Sequence, residues 1–193
     1  MIDYITGKVT ELNPAYVVVE CNGIGYNINI SLNTYAELDR ASECKILIHE
    51  SIREDAHLLF GFTTADERDL FRQLISVSGV GAGTARMMLS SIRPSDLRDA
   101  ILRGDVGILK AVKGIGLKTA QRIIVDLKDK IGKHSVSGEI IAFSDNTARE
   151  ESLSALVMLG FARNSATKVI DNLLRENNKL RVEELVRRAL KLL

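Results

Sequence analysis

Apolar and polar positions alternate along the first sixty or so residues and then change period. Short β-rich runs at Tyr4–Thr10, Tyr16–Cys21, Gly25–Ile30, Lys45–Ile52 and His57–Phe62 are separated by Asn13-Pro14, Asn22-Gly23 and Arg53–Asp55, a spacing that predicts five short strands. Strands of this length with tight turns predict a small Greek-key barrel of the OB type. From Thr64 the apolar spacing becomes helical, beginning with a capping box, Thr64-x-x-Glu67, and predicting four or five short helices to about Ile131. Pro94-Ser95 opens one of them. Residues 133–146 show neither period and carry Ser and Gly, the composition of a flexible linker. A second capping box, Thr147-x-x-Glu150, then opens a three-helix pattern over about 148–159, stopped by Gly160, about 165–176 and about 181–192. The predicted fold class is α+β and multidomain: an OB-type barrel at 1–63, an all-α domain at 64–132, a linker at 133–146 and a small three-helix, UBA-like domain at 147–193.

Within the helical stretch one pattern occurs twice, Leu74-x-x-Val77-x-Gly79-Val80-Gly81-x-x-x-Ala85 and Leu109-x-x-Val112-x-Gly114-Ile115-Gly116-x-x-x-Ala120, with the glycine pairs 35 residues apart. A glycine turn leading into a helix presents several backbone N–H groups where the helix has no acceptor for them, a socket for a phosphate oxygen. Glycine permits positive φ and an approach that a Cβ would obstruct, while Val80 and Ile115 plug each turn into the core. A lone Gly-x-Gly is ordinary helix capping, but two copies in register resemble the helix-hairpin-helix motif of proteins that bind DNA without reading its bases. A dinucleotide-binding reading fails, because Leu70–Val77 and Val106–Val112 have helical spacing where a buried strand is required.

The helix after the second turn places Leu117, Ala120, Ile123, Ile124, Leu127 and Ile131 on one face and Lys118 and Arg122 together on another. Two cations near a helix N-terminus oppose the dipole and each other, an arrangement that a bound phosphate reverses. Lys118 and Arg122, with Thr119 and the Gly114 and Gly116 amides, are therefore candidate backbone clamps. In the first copy Gly83 and Thr84 stand where Lys118 and Thr119 stand in the second. That site is expected to rely on amides around Gly79, Gly81 and Gly83 and on the Thr84 hydroxyl, assisted by Arg86.

Charge sharpens this picture. The net charge is only +1, yet residues 1–62 hold 4 basic and 9 acidic side chains, a net −5, whereas residues 63–135 hold 13 and 8, a net +5, and residues 136–193 hold 9 and 8. The basic excess coincides with the paired turns, so the chain joins an acidic module to a basic one. Absence of Trp and 5% aromatics predict small domains and argue against a base-stacking platform for single strands. No apolar run approaches the roughly 20 residues of a membrane helix, and the start Met1-Ile2-Asp3-Tyr4 lacks a signal-peptide pattern, so a cytoplasmic location and no membrane partner are expected. Cys21 and Cys44 lack Cys-x-x-Cys spacing and are expected as buried thiols. His49, His57 and His134 are scattered singly, so neither a metal nor a cofactor is expected.

The combination of barrel, paired turns Gly79-Val80-Gly81 and Gly114-Ile115-Gly116, the acidic turn Arg53-Glu54-Asp55-Ala56 before Leu58-Leu59-Phe60-Gly61-Phe62, and the small helical tail resembles the RuvA family over essentially the whole chain. RuvA proteins are the DNA-binding subunits of the bacterial Holliday junction branch-migration complex, acting in recombination and DNA repair. The resemblance implies a homotetramer, or two face to face, holding a four-way junction open and square, with Glu54 and Asp55 as an acidic pin at the crossover. It also implies that the tail recruits the RuvB hexamer, an ATP-driven motor, through Leu156, Leu159, Phe161 and Leu190, with the RuvC resolvase in the wider complex. Without the resemblance, Glu54-Asp55 is a polar hairpin turn and the four tail residues are ordinary core. Two other function classes remain at this stage: a general duplex-binding or RNA-binding protein, and a helix-hairpin-helix glycosylase or nuclease. The latter is disfavoured because Asp126 and Asp129 fall only 10 and 13 residues after Gly116, and no Gly-x-x-x-x-Gly-Lys is present for ATP hydrolysis.

Overall fold

The computed structural model of the protein describes residues 1–38, 42–135, 144–178 and 180–193. These form two compact units, Met1–Gly138 and Glu139–Leu193.

The five strands form as the alternation predicts: β1 (Tyr4–Asn13), β2 (Tyr16–Cys21), β3 (Ile24–Ile30), β4 (Glu43–Ile52) and β5 (His57–Phe62). They close into a barrel in the order β1-β2-β3-β5-β4. Every pairing is antiparallel except β3 with β5, which run parallel from Ile28↔Leu59 to Ile30↔Gly61 and shut the barrel. Asn22 (φ 50°) and Gly23 (φ 82°) make the β2–β3 connection, the positive-φ pair that a two-residue hairpin requires. Ile5, Val17, Val19, Ile28, Ile30, Ile46 and Ile48 fill the interior. Gly61 faces the same interior, where a Cβ would come within 2.5 Å of both Ile28 and Ile46.

An element absent from the sequence reading, α1 (Leu32–Leu38), lies between β3 and β4. Ser31 starts it, its Oγ accepting from Thr34 N at 3.1 Å. The capping box at Thr64 forms only in part. Thr64 Oγ1 accepts from Glu67 N at 3.2 Å, but the buried Glu67 carboxylate turns to the barrel, accepting from Ser31 Oγ at 2.5 Å and Thr34 Oγ1 at 2.8 Å.

Helices α2 (Ala65–Ile75), α3 (Ala82–Ser91), α4 (Pro94–Arg103), α5 (Val106–Lys110) and α6 (Leu117–Ser135) follow. Along β5, Leu59 belongs to the barrel interior, whereas Phe60 and Phe62 pack with Phe71 of α2 at ring separations of 5.2 and 4.9 Å. His49 of β4 adds an edge-on contact to the same ring at 5.3 Å. Three of the five phenylalanines thus join barrel and helices into one hydrophobic core, which continues through Leu70, Leu74, Met88, Leu97, Ile101, Leu109, Ile123 and Leu127. The cysteines correct an expectation. Cys21 and Cys44 are free but only half-buried, at the margin of the barrel core, and burial pushes the Cys44 thiol up.

The second unit comprises α7 (Ser144–Met158), α8 (Arg163–Glu176) and α9 (Val182–Ala189) around Leu153, Leu156, Ala166, Ile170, Leu173 and Leu185. Gly160 (φ 97°) ends α7 as the sequence predicts. Gly160 N bonds to Val157 O at 3.0 Å and Phe161 N to Leu156 O at 3.1 Å, the paired bonds of a Schellman motif. Thr147 does not cap this helix, since α7 is already helical from Ser144; Ser, Asp and Asn at 144–146 provide an earlier start. The expected linker is likewise shortened at both ends, because α6 continues through Gly132 to Ser135, and its positions 136–143 lie outside the described residues. Among the described residues, no helix is long and apolar enough to cross a membrane.

Candidate nucleic-acid interface

The repeated sequence produces a repeated backbone. In the first turn, Val77 N bonds to Leu74 O at 3.1 Å and Val80 N to Val77 O at 3.0 Å, and Ala85 N reaches Gly81 O at 2.9 Å. In the second, Val112 N bonds to Leu109 O at 3.3 Å, Ile115 N to Val112 O at 3.1 Å and Ala120 N to Gly116 O at 2.9 Å. Gly79 and Gly114 carry matching φ of 91° and 92°, a left-handed conformation that other residues adopt only with strain. Val80 and Ile115, each 5% exposed, anchor the turns in the shared core.

Gly81 and Gly116 need a different explanation. Neither has positive φ, and a Cβ at either would meet no atom within 4 Å. The fold does not require glycine there, so the smoothness serves the outer surface. Gly81 is the N-cap of α3 and supplies no side-chain cap, which leaves the first-turn N–H groups available to an external acceptor.

The surroundings of the two turns differ. Gly83, Lys118 and Arg122 are exposed, and Thr84 and Thr119 are half-buried at equivalent places. Arg122 is not left to oppose the dipole alone: its Nε lies 3.6 Å from Asp126 Oδ2, one turn along α6, an exposed pairing of little net strength. Arg86 departs further from expectation. Its Nη1 donates at 2.9 Å to both Ala15 O and Asn29 Oδ1 of the barrel, so this guanidinium is engaged within the protein.

Glu54 and Asp55 are exposed at the tip of the β4–β5 connection, closed by Arg53 N to Ala56 O at 2.8 Å above the Ile52↔His57 pair. At its base the Glu50 carboxyl is held below its ordinary value, chiefly by the Ile2 backbone N–H at 2.9 Å, with His57 Nε2 at 3.4 Å contributing.

In the second unit Leu159 is 60% exposed and Leu190 is exposed, while Phe161 is half-buried against the core. Leu156 must be reassigned. It is completely buried in the core of its unit, because the α7 face that carries Leu153 also carries position 156. Sequence reasoning missed Met158, the most exposed apolar side chain of this unit, beside Leu159, and also Leu192. Their signal was position alone, flanking the helix-ending Gly160 and following α9.

A closed barrel fused to a tandem of glycine hairpins, followed by a three-helix unit, defines a modular class of α+β proteins of the helix-hairpin-helix type. Residues 1–61 match the family model described as RuvA N terminal domain, residues 71–129 the SAM-like helix-hairpin-helix tandem, and residues 147–193 the RuvA C-terminal domain. Similar proteins include one from Christiangramia forsetii, 49% identical over 191 residues and 99% of each chain. One from Bacteroides fragilis is 47% identical over 199 residues, again 99% of each, and one from Porphyromonas gingivalis is 48% identical over 202 residues, all of each. Each carries the name Holliday junction branch migration complex subunit RuvA. The chain belongs to the RuvA family.

Proposed function

We propose that this protein binds four-way DNA junctions by shape, holds them open and square as a homotetramer, and recruits the RuvB motor for branch migration in the cytoplasm, alongside the RuvC resolvase. It acts as a non-catalytic subunit, with ATP hydrolysis on the partner. The observation that carries the DNA-binding part is the pair of superposable glycine turns whose outer surface is bare where the fold does not require it. Backbone amides and Lys118, Arg122, Thr84 and Thr119 supply affinity through phosphates, which carries no sequence information. Glu54 and Asp55 repel phosphates at the crossover and keep the arms from stacking. Attraction at the rim with repulsion at the centre selects a shape. Asp126 pairs with Arg122 on α6, which suits a clamp better than a catalytic acid. Leu159, Phe161 and Leu190, with Met158, form the surface offered to the motor.

The test is equilibrium binding to an immobile four-way junction and to linear duplex of the same arms, titrated over salt. A junction preference of orders of magnitude, with both affinities falling steeply as salt rises, supports the reading; equal binding overturns it. Glu54→Gln with Asp55→Asn is expected to keep or tighten junction affinity while disturbing motor-driven migration, and loss of binding would remove the pin from the account.

A further inference from the structure

The repeat breaks at one side chain whose position the glycine turns do not explain. Arg86 stands five residues after Gly81; the equivalent place after Gly116 is Gln121, which is exposed. Arg86 is half-buried and reaches out of α3 into the barrel, where Nη1 donates at 2.9 Å to Ala15 O in the β1–β2 turn and at 2.9 Å to Asn29 Oδ1 on β3. Ala15 O also accepts from Ile30 N at 3.1 Å, so it is a fixed point of the barrel. Asn29 passes the connection on, its Nδ2 donating to Leu59 O of β5 at 3.2 Å. The strand that receives it begins at His57, directly after the acidic turn. Two more ties run beside this one. Ser90 Oγ accepts from Leu32 N at 3.1 Å while donating to Arg86 O at 2.9 Å, and Asn33 Nδ2 donates to Leu89 O. α6, by contrast, packs on α2, α4 and α5.

From this we propose that Arg86 is a positioning residue: it fixes the first glycine turn on the barrel, through Asn29 and β5, at a set distance and angle from Glu54 and Asp55, and so sets the preference for a junction over a duplex. The inference rests on the junction-binding reading above. A duplex can be gripped by the turns wherever they sit, whereas a junction must meet the turns and the acidic tip together, so loosening the mount penalises the junction selectively. Arg86 then adds selectivity without adding a phosphate contact, and the two roles separate by salt dependence, since each phosphate neutralised contributes about one unit of log–log slope.

The experiment uses the full chain as wild type, Arg86→Ala, Arg86→Gln, Asn29→Ala and the Arg86→Ala/Asn29→Ala double variant, each checked for folding by its thermal transition. Junction and duplex affinities are titrated over salt. Arg86→Ala is expected to lower junction affinity about tenfold, the scale of one lost charged hydrogen-bond tie, with duplex affinity nearly unchanged and the junction salt slope intact. Asn29→Ala should reproduce the effect with no change of charge, and the double variant should add little, because contacting residues in one network are not additive. Arg86→Gln, which keeps a donor, should lie between. A slope reduced by about one unit for both DNAs, with Asn29→Ala binding as wild type, overturns the proposal and makes Arg86 a phosphate ligand. Hydrogen exchange of the free protein judges the mount independently of DNA. Arg86→Ala should speed exchange at Ile30 N and Ala85 N relative to Leu97 N in α4, and unchanged exchange overturns it. If wild type shows no junction preference, the functional reading fails, while exchange still decides whether Arg86 holds the turn.

Discussion

The two glycine turns share a backbone and differ in almost everything attached to it. Both have the left-handed glycine, the buried aliphatic plug and the same ladder of main-chain bonds. Around the second stand Lys118 and Arg122; the same places around the first hold Gly83 and Met87. The first turn in exchange leads into a helix tied to the barrel through Arg86, Leu89 and Ser90. Repetition of the motif therefore fixes turn geometry, while side chains outside it divide the labour: one copy is placed and the other is charged.

The strongest way to break this comparison is to discharge the second copy. Lys118→Ala with Arg122→Ala is expected to weaken binding to all DNA sequences alike by at least about tenfold, since hydrogen bonds to charged groups are worth roughly 1.5–3 kcal/mol each. The salt slope should fall by about one unit per contact. A sequence-selective loss in a salt titration would count against backbone recognition.

Charging the first copy sharpens the contrast from the other side. Gly83 is exposed, with open space at its Cβ position, so Gly83→Lys should fit, tighten binding severalfold and steepen the salt slope by about one unit. An unchanged slope would place the first turn away from phosphate.

A smaller effect should be equal in both copies. Serine is a favoured N-cap, so Gly81→Ser should leave thermal stability unchanged or raise it by a few tenths of a kcal/mol. Its Oγ, however, would accept a first-turn amide and fill the bare surface, lowering DNA affinity. Gly116→Ser should do the same, and tighter binding by either variant would refute the amide socket.

The smallest effect concerns the mount. Burial pushes the Glu67 carboxyl above its ordinary 4.5, with the Ser31 and Thr34 hydroxyls opposing and Glu37 and Asp66 adding to the rise. The folded state then holds the proton more tightly than the unfolded chain. This group therefore makes stability fall as pH rises through the window just above 4.5. Glu67→Gln lacks that titration, so its stability relative to wild type should improve with rising pH across the window, as measured by denaturant unfolding. A pH-independent difference would remove Glu67 as the source.

Elements whose pattern is set by local physics were legible in the sequence. Val17, Val19, Ile28 and Ile30 alternate and are buried, and Gly79, Gly114 and Gly160 take the positive φ expected of turn and C′ glycines. Helix α1 was not legible, because its seven residues are too short for a period to show and its start depends on Ser31 contacts made in three dimensions. The acid of Thr64-x-x-Glu67 was placed on the wrong partner, since nothing local reveals that Ser31 and Thr34 lie beside it. Arg86 looked like a free cation for the same reason: its acceptors are 71 and 57 positions away. Leu156 was separable from Leu159 only once the phase of α7 against α8 and α9 was known.

The aromatic junction of Phe60, Phe62 and Phe71 has a mechanical consequence. Packed interiors are stiff and dense, so a pull on a strand held at either glycine turn passes through these rings into the barrel wall without a hinge to absorb it. The barrel and turns should respond to tension as a single lever, and should lose their structure in the same cooperative step.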